Sequence, residues 1–173
     1  MNFSAKNASS LMDLHQCLVR LIFPETVSPK ERWSVDPADR QWLLELMRAA
    51  PRFSARNTGL NDTYADAYTK YLFYGGSGGP LNQPLEMYSK SGMAYGFLTD
   101  LAYFVDRKHN IDFFVSATIY VNSDEILNDD QYEYETVGLP FLKFLGQCIY
   151  AYEQSRPRSP NADWQQLLPG WEK

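Results

Sequence analysis

Apolar residues recur with two different periods along this chain, and the change of period separates predicted helices from predicted strands. Spacings of three and four residues predict a first helix from Ser9 or Ser10 to Phe23 and a second from Asp36 to Ala50. Each is followed by a proline, and Asp36-Pro37 suits the N-cap and first turn of the second helix. The same spacing predicts a third helix from Asp62 to Tyr74.

A period of two takes over after the run GGSGGP at 75–80, which is read as a flexible connector. The predicted strands are Pro84 to Ser89, Met93 to Asp106 and Ile111 to Asn122. The alternation is clearest from Ile111 to Val121, where the odd positions are apolar. The polar residues Asp106 to Asn110 predict a turn that joins the last two strands in an antiparallel hairpin.

An acidic loop from Asn122 to Glu135 leads to a predicted last helix, Thr136 to Tyr152. Its predicted inner face consists of Phe141, Phe144, Leu145, Cys148, Ile149 and Tyr152. The predicted fold is therefore α+β, with N-terminal helices, a three-stranded antiparallel sheet and a C-terminal helix packed on it. We expect one domain over residues 1–154 and a polar, proline-containing tail over 155–173.

Composition narrows the class of protein. The 173 residues are 45% hydrophobic and 15% aromatic, which is typical of a globular domain with a real core. The net charge is -5 and no Lys/Arg run exists, so we expect no nucleic-acid partner. No apolar run approaches the ~18 residues of a membrane span, and the polar opening MNFSAKNASS is not predicted to be a signal peptide. No cofactor is predicted.

The candidate site is the triplet Lys90-Ser91-Gly92, which lies at the edge of a predicted strand. A Lys-Ser/Thr-Gly triplet in this context is the third signature of the penicillin-recognising serine hydrolases. With SKSGMAYGFLTDLAYFVD, FFVSATIYVN, NDDQYEYETVGLPFL and the closing helix, the chain resembles β-lactamase-like and penicillin-binding-protein-like serine hydrolases of Bacteroidetes-type bacteria. The opening NFSAKNASSLMDLHQCLVRLIF resembles the helix that follows the Ω-loop of class A enzymes.

The resemblance covers most of this chain but only about the last half of the family's catalytic domain. It implies a parent enzyme that transfers acyl groups from β-lactams or D-alanyl peptides and is periplasmic or secreted. Lys90 would face the substrate carboxylate and a proton-relay serine, and Ser91 would hydrogen-bond that carboxylate. Gly92 would let the substrate lie against the strand, and the Met93 N–H would be one of two oxyanion donors.

Two signatures of the family are missing. No serine is followed by a lysine three residues later, so the Ser-x-x-Lys nucleophile is absent from this chain. Tyr120-Val121-Asn122 matches the second signature in letters only, because it lies on a later strand. Loss of the nucleophile costs ~10⁶ in rate in such enzymes, so we expect the chain to be inactive alone.

Three interpretations of the missing signatures remain open. The chain is the C-terminal part of an enzyme whose N-terminal half is missing, or a separate chain supplies that half. Alternatively, it is a non-catalytic module that binds a peptide or partner at the strand edge from Tyr88 to Met93.

Other candidates for chemistry are weaker. The acidic group Asp124, Glu125, Asp129, Asp130, Glu133 and Glu135 lacks the ligand pattern of an EF-hand and is read as a solvated loop. His15 and His109 have no Ser or Cys partner that spacing identifies, so neither is predicted to be catalytic.

Four further residues receive structural interpretations. Asp106 is predicted to be a turn residue. Asp100 is expected to be half-buried on the face of Ala102, with no assigned role. Cys17 and Cys148 are expected to be buried or half-buried thiols, and a long-range disulfide between them stays open.

Overall fold

The computed structural model describes residues 7–51, 64–78, 80–81 and 85–157. Its main elements, in chain order, are α1 (Leu11–Ile22), α2 (Pro37–Arg48), β1 (Leu85–Ala94), β2 (Phe97–Asp106), β3 (Ile111–Tyr120) and α3 (Leu139–Ser155). A 3-10 turn, Pro24–Thr26, follows α1, and a π-helical turn, Tyr134–Gly138, precedes α3. The predicted α+β order of two helices, three strands and a long last helix is confirmed.

Local sequence signals set the starts of the two N-terminal helices. The Ser10 side chain accepts a hydrogen bond from the N–H of Asp13 at 3.1 Å, which caps α1. The Asp36 carboxylate accepts from the N–H of Ala38 at 2.8 Å, and Pro37 occupies the first turn of α2. Both predicted N-termini are confirmed.

The three strands form one antiparallel sheet in the order β1-β2-β3. Tyr95 and Gly96 connect β1 to β2 with φ of +50° and +85°, as in the two-residue type I′ turns that favour glycine. The prediction of one strand from Met93 to Asp106 is therefore wrong, because this turn interrupts it. The turn places the whole Lys90-Ser91-Gly92 triplet inside β1. The predicted hairpin between β2 and β3 is confirmed.

Helices cover both faces of the sheet. On one face α1 and α2 pack against Tyr88, Leu101, Tyr103 and Val105 through Leu18, Ile22 and Leu44. On the other face α3 packs against Met87, Ala102, Phe104, Phe113 and Val115 through Leu139 and Leu142. Side chains alternate between the faces along each strand, so neighbouring residues of β1 contribute to opposite cores.

The inner face of α3 differs from the prediction. Leu139, Leu142 and Gly146 are buried against the rest of the protein. Most of the predicted inner residues lie on the outer face: Phe141, Phe144, Cys148 and Tyr152 are exposed, Phe144 and Tyr152 to 62% each. Apolar residues surround the whole helix, so their spacing does not select one face.

The two thiols differ in exposure. Cys148 is exposed, so its predicted burial is wrong, whereas Cys17 is half-buried as predicted. Both are free cysteines in the structure.

The predicted third helix is also wrong over its described part, which consists of turns. The N–H groups of Tyr71 and Leu72 donate to the side chain of Asp100 at 2.9 Å instead of to carbonyls one helical turn earlier. Phe73 follows with a φ of +71°, which no helix contains. Asp62 and residue 63 lie outside the described residues, as do residues 158–173 of the predicted tail.

No helix in the described ranges is both long and apolar enough to cross a bilayer.

Candidate functional site

The triplet lies where β1 changes from buried to accessible. Residues 85–89 of β1 are buried except Glu86, whereas Lys90 and Gly92 to Ala94 are exposed and Ser91 is half-buried. A Cβ added at Gly92 would have open space around it, with no heavy atom within 4 Å in the part of the chain that the structure describes. The sequence-predicted residues Lys90, Ser91, Gly92 and Met93 therefore lie together on an accessible stretch of an edge strand.

The backbone of the triplet faces away from β2 at alternate residues. The Met87 carbonyl accepts a hydrogen bond from Lys70 Nζ at 3.0 Å, and the Ser91 carbonyl accepts one from Lys90 Nζ at 2.8 Å. Both carbonyls therefore lie on the side of β1 away from β2, which we call the outer edge of β1. Main-chain direction alternates along a strand, so the N–H of Met93 is also directed toward the outer edge.

The Lys90 ammonium is a free positive charge on this edge. No carboxylate of the described residues forms a salt bridge with it, and its hydrogen bond goes to the neighbouring carbonyl of Ser91. An anion could replace that carbonyl without displacing a charged partner.

The Ser91 side chain lies on the face of β1 opposite to that of Lys90, and its hydroxyl already has a hydrogen-bond partner. Its Oγ donates to the carbonyl oxygen of Thr69 at 2.8 Å. Burial raises the pKa of the nearby Tyr71 phenol, and a hydrogen bond with Ser91 opposes that rise. A ligand that accepts a hydrogen bond from Ser91 must therefore compete with the Thr69 carbonyl.

Lys70, which was not predicted from the sequence, lies buried beside the outer edge of β1. Its side chain is 1% exposed, and Nζ donates to the carbonyls of Met47 and Met87 at 2.8 and 3.0 Å and to Ser89 Oγ at 3.2 Å. Burial lowers the pKa of Lys70 to about 8, although the charge of Asp100 opposes this. The only signal in the sequence is a single lysine among aromatic residues, which does not predict burial.

Asp100 lies directly opposite Ser91 in the sheet. It lies on the predicted face but is fully buried, at 0% exposure, and not half-buried as expected. Its Oδ2 accepts the two N–H groups of Tyr71 and Leu72, and its Oδ1 has no hydrogen-bond partner among the described residues. Burial raises the pKa of Asp100 to about 7, despite these hydrogen bonds and the charge of Lys70.

A cleft of about 490 Å³ lies beside the first half of β1, away from the triplet. It is lined by Glu45, Arg48, Ala49, Ala50, Asp66, Lys70, Tyr74, Pro80, Leu81, Leu85, Glu86 and Met87. The chemistry of the triplet therefore lies on an open edge and not in this cleft.

Both histidines have partners that spacing did not identify. Nδ1 of His15 lies 2.7 Å from Ser116 Oγ, which ties α1 to β3. The Asp106 carboxylate accepts the N–H of His109 at 3.1 Å, contacts its ring, and accepts the Tyr150 hydroxyl of α3. The predicted turn role of Asp106 is confirmed, and these contacts bind the hairpin turn to α3.

Carboxylates of the acidic loop bind its own backbone. Asp124 accepts the N–H of Ile126 at 2.9 Å, and Asp129 accepts that of Gln131 at 3.0 Å. Such side-chain contacts are typical of Asx turns. Within the described ranges, no group of three or more His, Cys, Asp or Glu side chains is placed to hold a metal ion.

The Tyr120-Val121-Asn122 stretch supports the β1–β2 turn. The amide nitrogen of Asn122 donates to the Tyr120 hydroxyl and to the Ile126 carbonyl, both at 3.1 Å. The N–H of Val121 donates to the carbonyl of Gly96 at 2.7 Å.

No family model, curated protein or solved structure matches this chain significantly. Any functional assignment must therefore come from the residues and their arrangement.

Proposed function

We propose that this chain is the C-terminal part of a β-lactamase-like or transpeptidase-like serine hydrolase, and that it contributes the substrate-binding strand. The supporting observation is the position of Lys90, Ser91, Gly92 and Met93 on the accessible outer edge of an edge strand. An acyl substrate with a peptide-like backbone would lie along this edge as an additional strand.

Each residue of the site has a distinct role in this proposal. Lys90 attracts the substrate carboxylate, and the Ser91 hydroxyl donates a hydrogen bond to it. A carboxylate is a stronger acceptor than the neutral Thr69 carbonyl because its charge strengthens the hydrogen bond. The Met93 N–H donates to the oxygen of the scissile carbonyl, a contact worth ~10²–10³ in rate in acyl-transfer enzymes.

The chain alone binds such substrates without turning them over. The parent reaction is attack of a serine on the acyl carbonyl followed by hydrolysis of the acyl-enzyme, and the Ser-x-x-Lys motif is absent here. A missing N-terminal half, in the same or a separate polypeptide, is the proposed partner, and the parent enzyme is proposed to be periplasmic or secreted.

Exposed apolar surface supports a missing partner segment. Phe97 and Tyr120 are 51% and 46% exposed at one end of the sheet, and Phe141, Phe144 and Tyr152 follow the outer face of α3. A missing segment that packs on these two places would remove their side chains from water.

Benzylpenicillin tests the proposed substrate class, because it carries a carboxylate beside a strained amide. In amide NMR spectra, we expect millimolar benzylpenicillin to shift Ser91, Gly92 and Met93. Lys90→Ala should weaken binding about tenfold or more, since hydrogen bonds to charged groups contribute ~1.5–3 kcal/mol. Lys108→Ala, at an exposed lysine of the β2–β3 turn, is the matched control and should bind normally.

Two outcomes would contradict this proposal. The first is an absence of shifts at the triplet, or shifts that Lys90→Ala leaves unchanged. The second is a covalent penicilloyl adduct of the chain detected by mass spectrometry, which would mean that a nucleophile is present.

The alternative is a non-catalytic module that binds a peptide on the same edge. The main-chain groups of Ser91 and Met93, which face the outer edge on the accessible half of β1, favour it, because an accessible strand edge can pair with any extended chain. An acetylated and amidated Ala-Val-Thr-Val-Ala peptide, which has no carboxylate, distinguishes the two. The module should bind this peptide with or without Lys90, whereas the hydrolase part should prefer benzylpenicillin and lose that preference in Lys90→Ala.

A further inference from the structure

In the segment Thr69 to Leu72, three of the four residues contact the triplet or the residue opposite it in the sheet. The carbonyl of Thr69 accepts the Ser91 hydroxyl at 2.8 Å. The N–H groups of Tyr71 and Leu72 donate to Asp100, which pairs with Ser91 in the sheet register. The segment therefore holds Ser91 directly and is itself anchored to β2.

Lys70, the other residue of this segment, contacts β1 just before the triplet. Its burial is costly because the side chain carries a charge. Its ammonium has three N–H groups, and they meet three acceptors: the carbonyls of Met47 and Met87 and the hydroxyl of Ser89. Burying a charge is unfavourable by several kcal/mol even when it is paired, and an apolar side chain would fill the same space at lower cost. The lysine therefore contributes something that packing alone does not.

That contribution is the location of its acceptors. Two of the three belong to β1, one and three residues before the triplet, on an edge that has no neighbouring strand among the described residues. The third belongs to the last turn of α2. Lys70 thus takes the place of a strand neighbour and fixes the outer edge of β1 at the point where its buried half ends.

We propose that Lys70 is a positioning residue for the Lys90-Ser91-Gly92 triplet. It holds the second half of β1 against β2 and keeps the Ser91 hydroxyl directed at the Thr69 carbonyl. The importance of this for ligand binding rests on the proposed function, whereas the positioning itself is a property of the chain without a ligand.

The positioning requires the charged form of Lys70. A neutral amine has two N–H groups and cannot donate to three acceptors. The pKa of Lys70 is about 8, so one donor is lost in mildly alkaline solution. The charge of Asp100 on β2 acts on Lys70 and favours its charged form. The cleft that Lys70 lines also contains the charged residues Glu45, Arg48, Asp66 and Glu86. Burial raises the pKa of Asp100 to about 7, and the charge of Lys70 opposes that rise.

Hydrogen exchange of single amides, followed by NMR in the full chain without a ligand, tests the proposal. By strand alternation the N–H groups of Lys90 and Gly92 face β2, while those of Ala102 and Val115 pair β2 with β3. In Lys70→Met we expect Lys90 and Gly92 to exchange at least about tenfold faster relative to Ala102 and Val115.

Leu142→Ala is the matched control, because it truncates a fully buried apolar side chain of the core between α3 and the sheet but removes no side-chain hydrogen bond to β1. It should accelerate exchange throughout the sheet and leave the ratio between the two amide pairs unchanged. An equal ratio in Lys70→Met and Leu142→Ala would reduce Lys70 to a purely structural residue and overturn the proposal.

The wild-type chain provides a second test that needs no variant, in case Lys70→Met does not fold. Protection of Lys90 and Gly92, corrected for intrinsic exchange, should fall with a midpoint near pH 8 while Ala102 and Val115 stay protected. Constant protection across that range would contradict the proposal. Because benzylpenicillin is not used, failure of the proposed function leaves this result intact.

Discussion

Replacing Asp100 by asparagine should change how the stability of the protein depends on pH. The pKa of this fully buried carboxyl is raised to about 7, against 3.8 for an ordinary aspartate. Between these values the folded state holds a proton on Asp100 that the unfolded state has released. Folding stability must therefore fall as pH rises through this range, by about 4 kcal/mol in total. Asparagine keeps an acceptor for the N–H groups of Tyr71 and Leu72 but does not ionise.

Urea unfolding of the two proteins at several pH values measures this effect. The free energy of unfolding of the wild type, minus that of Asp100→Asn, should decrease by about 2.5 kcal/mol between about pH 4.5 and about pH 6.5. All other ionisable groups are common to both proteins and cancel in the difference, and Lys70 stays charged in this range.

Two results would refute this reasoning. Parallel stability curves would mean that Asp100 ionises at its ordinary pKa despite its burial. A difference that increases with pH would mean that the two N–H donors and Lys70 outweigh the burial and lower the pKa below 3.8.

Two further predictions concern single positions. Gly146→Ala places a methyl group 2.3 Å from the backbone nitrogen of Phe73, so we expect the free energy of unfolding to fall by about 2 kcal/mol and the thermal midpoint by about 4–8 °C. The control Gly92→Ala meets open space and should change the free energy of unfolding by no more than about 0.5 kcal/mol. Equal midpoints for the two variants would exclude the steric argument. Iodoacetamide should modify exposed Cys148 before half-buried Cys17 in the folded protein. Peptide mapping of the alkylated sites measures the order, and earlier modification of Cys17 would contradict this prediction.

The parts of the fold that the sequence predicts correctly depend on neighbouring residues. Asp36 and Pro37 specify a helix start by their own side chains, and the alternation from Ile111 to Val121 specifies a strand with one core face. The predicted helix through Tyr71 fails because Asp100, 29 residues away, takes two of its backbone donors. Local spacing contains no information about such a distant acceptor.

The candidate site divides in the same way. The triplet could be located from three adjacent letters and the strand pattern around them. Lys70 could not, because its burial depends on carbonyls of two other segments that only the fold brings together. The contact between His15 and Ser116 spans 101 residues and has no local signature either.

The two-residue turn at Tyr95-Gly96 fixes the register in which β1 pairs with β2, and with it the position of the triplet. An added Cβ at position 96 would lie 2.7 Å from that of Asn122, so the turn has no room for a larger residue there. One inserted residue would slip β1 against β2 and exchange the faces on which Lys90 and Ser91 lie. Substitutions at the exposed end of β1 should therefore be tolerated more readily than insertions or deletions in this hairpin.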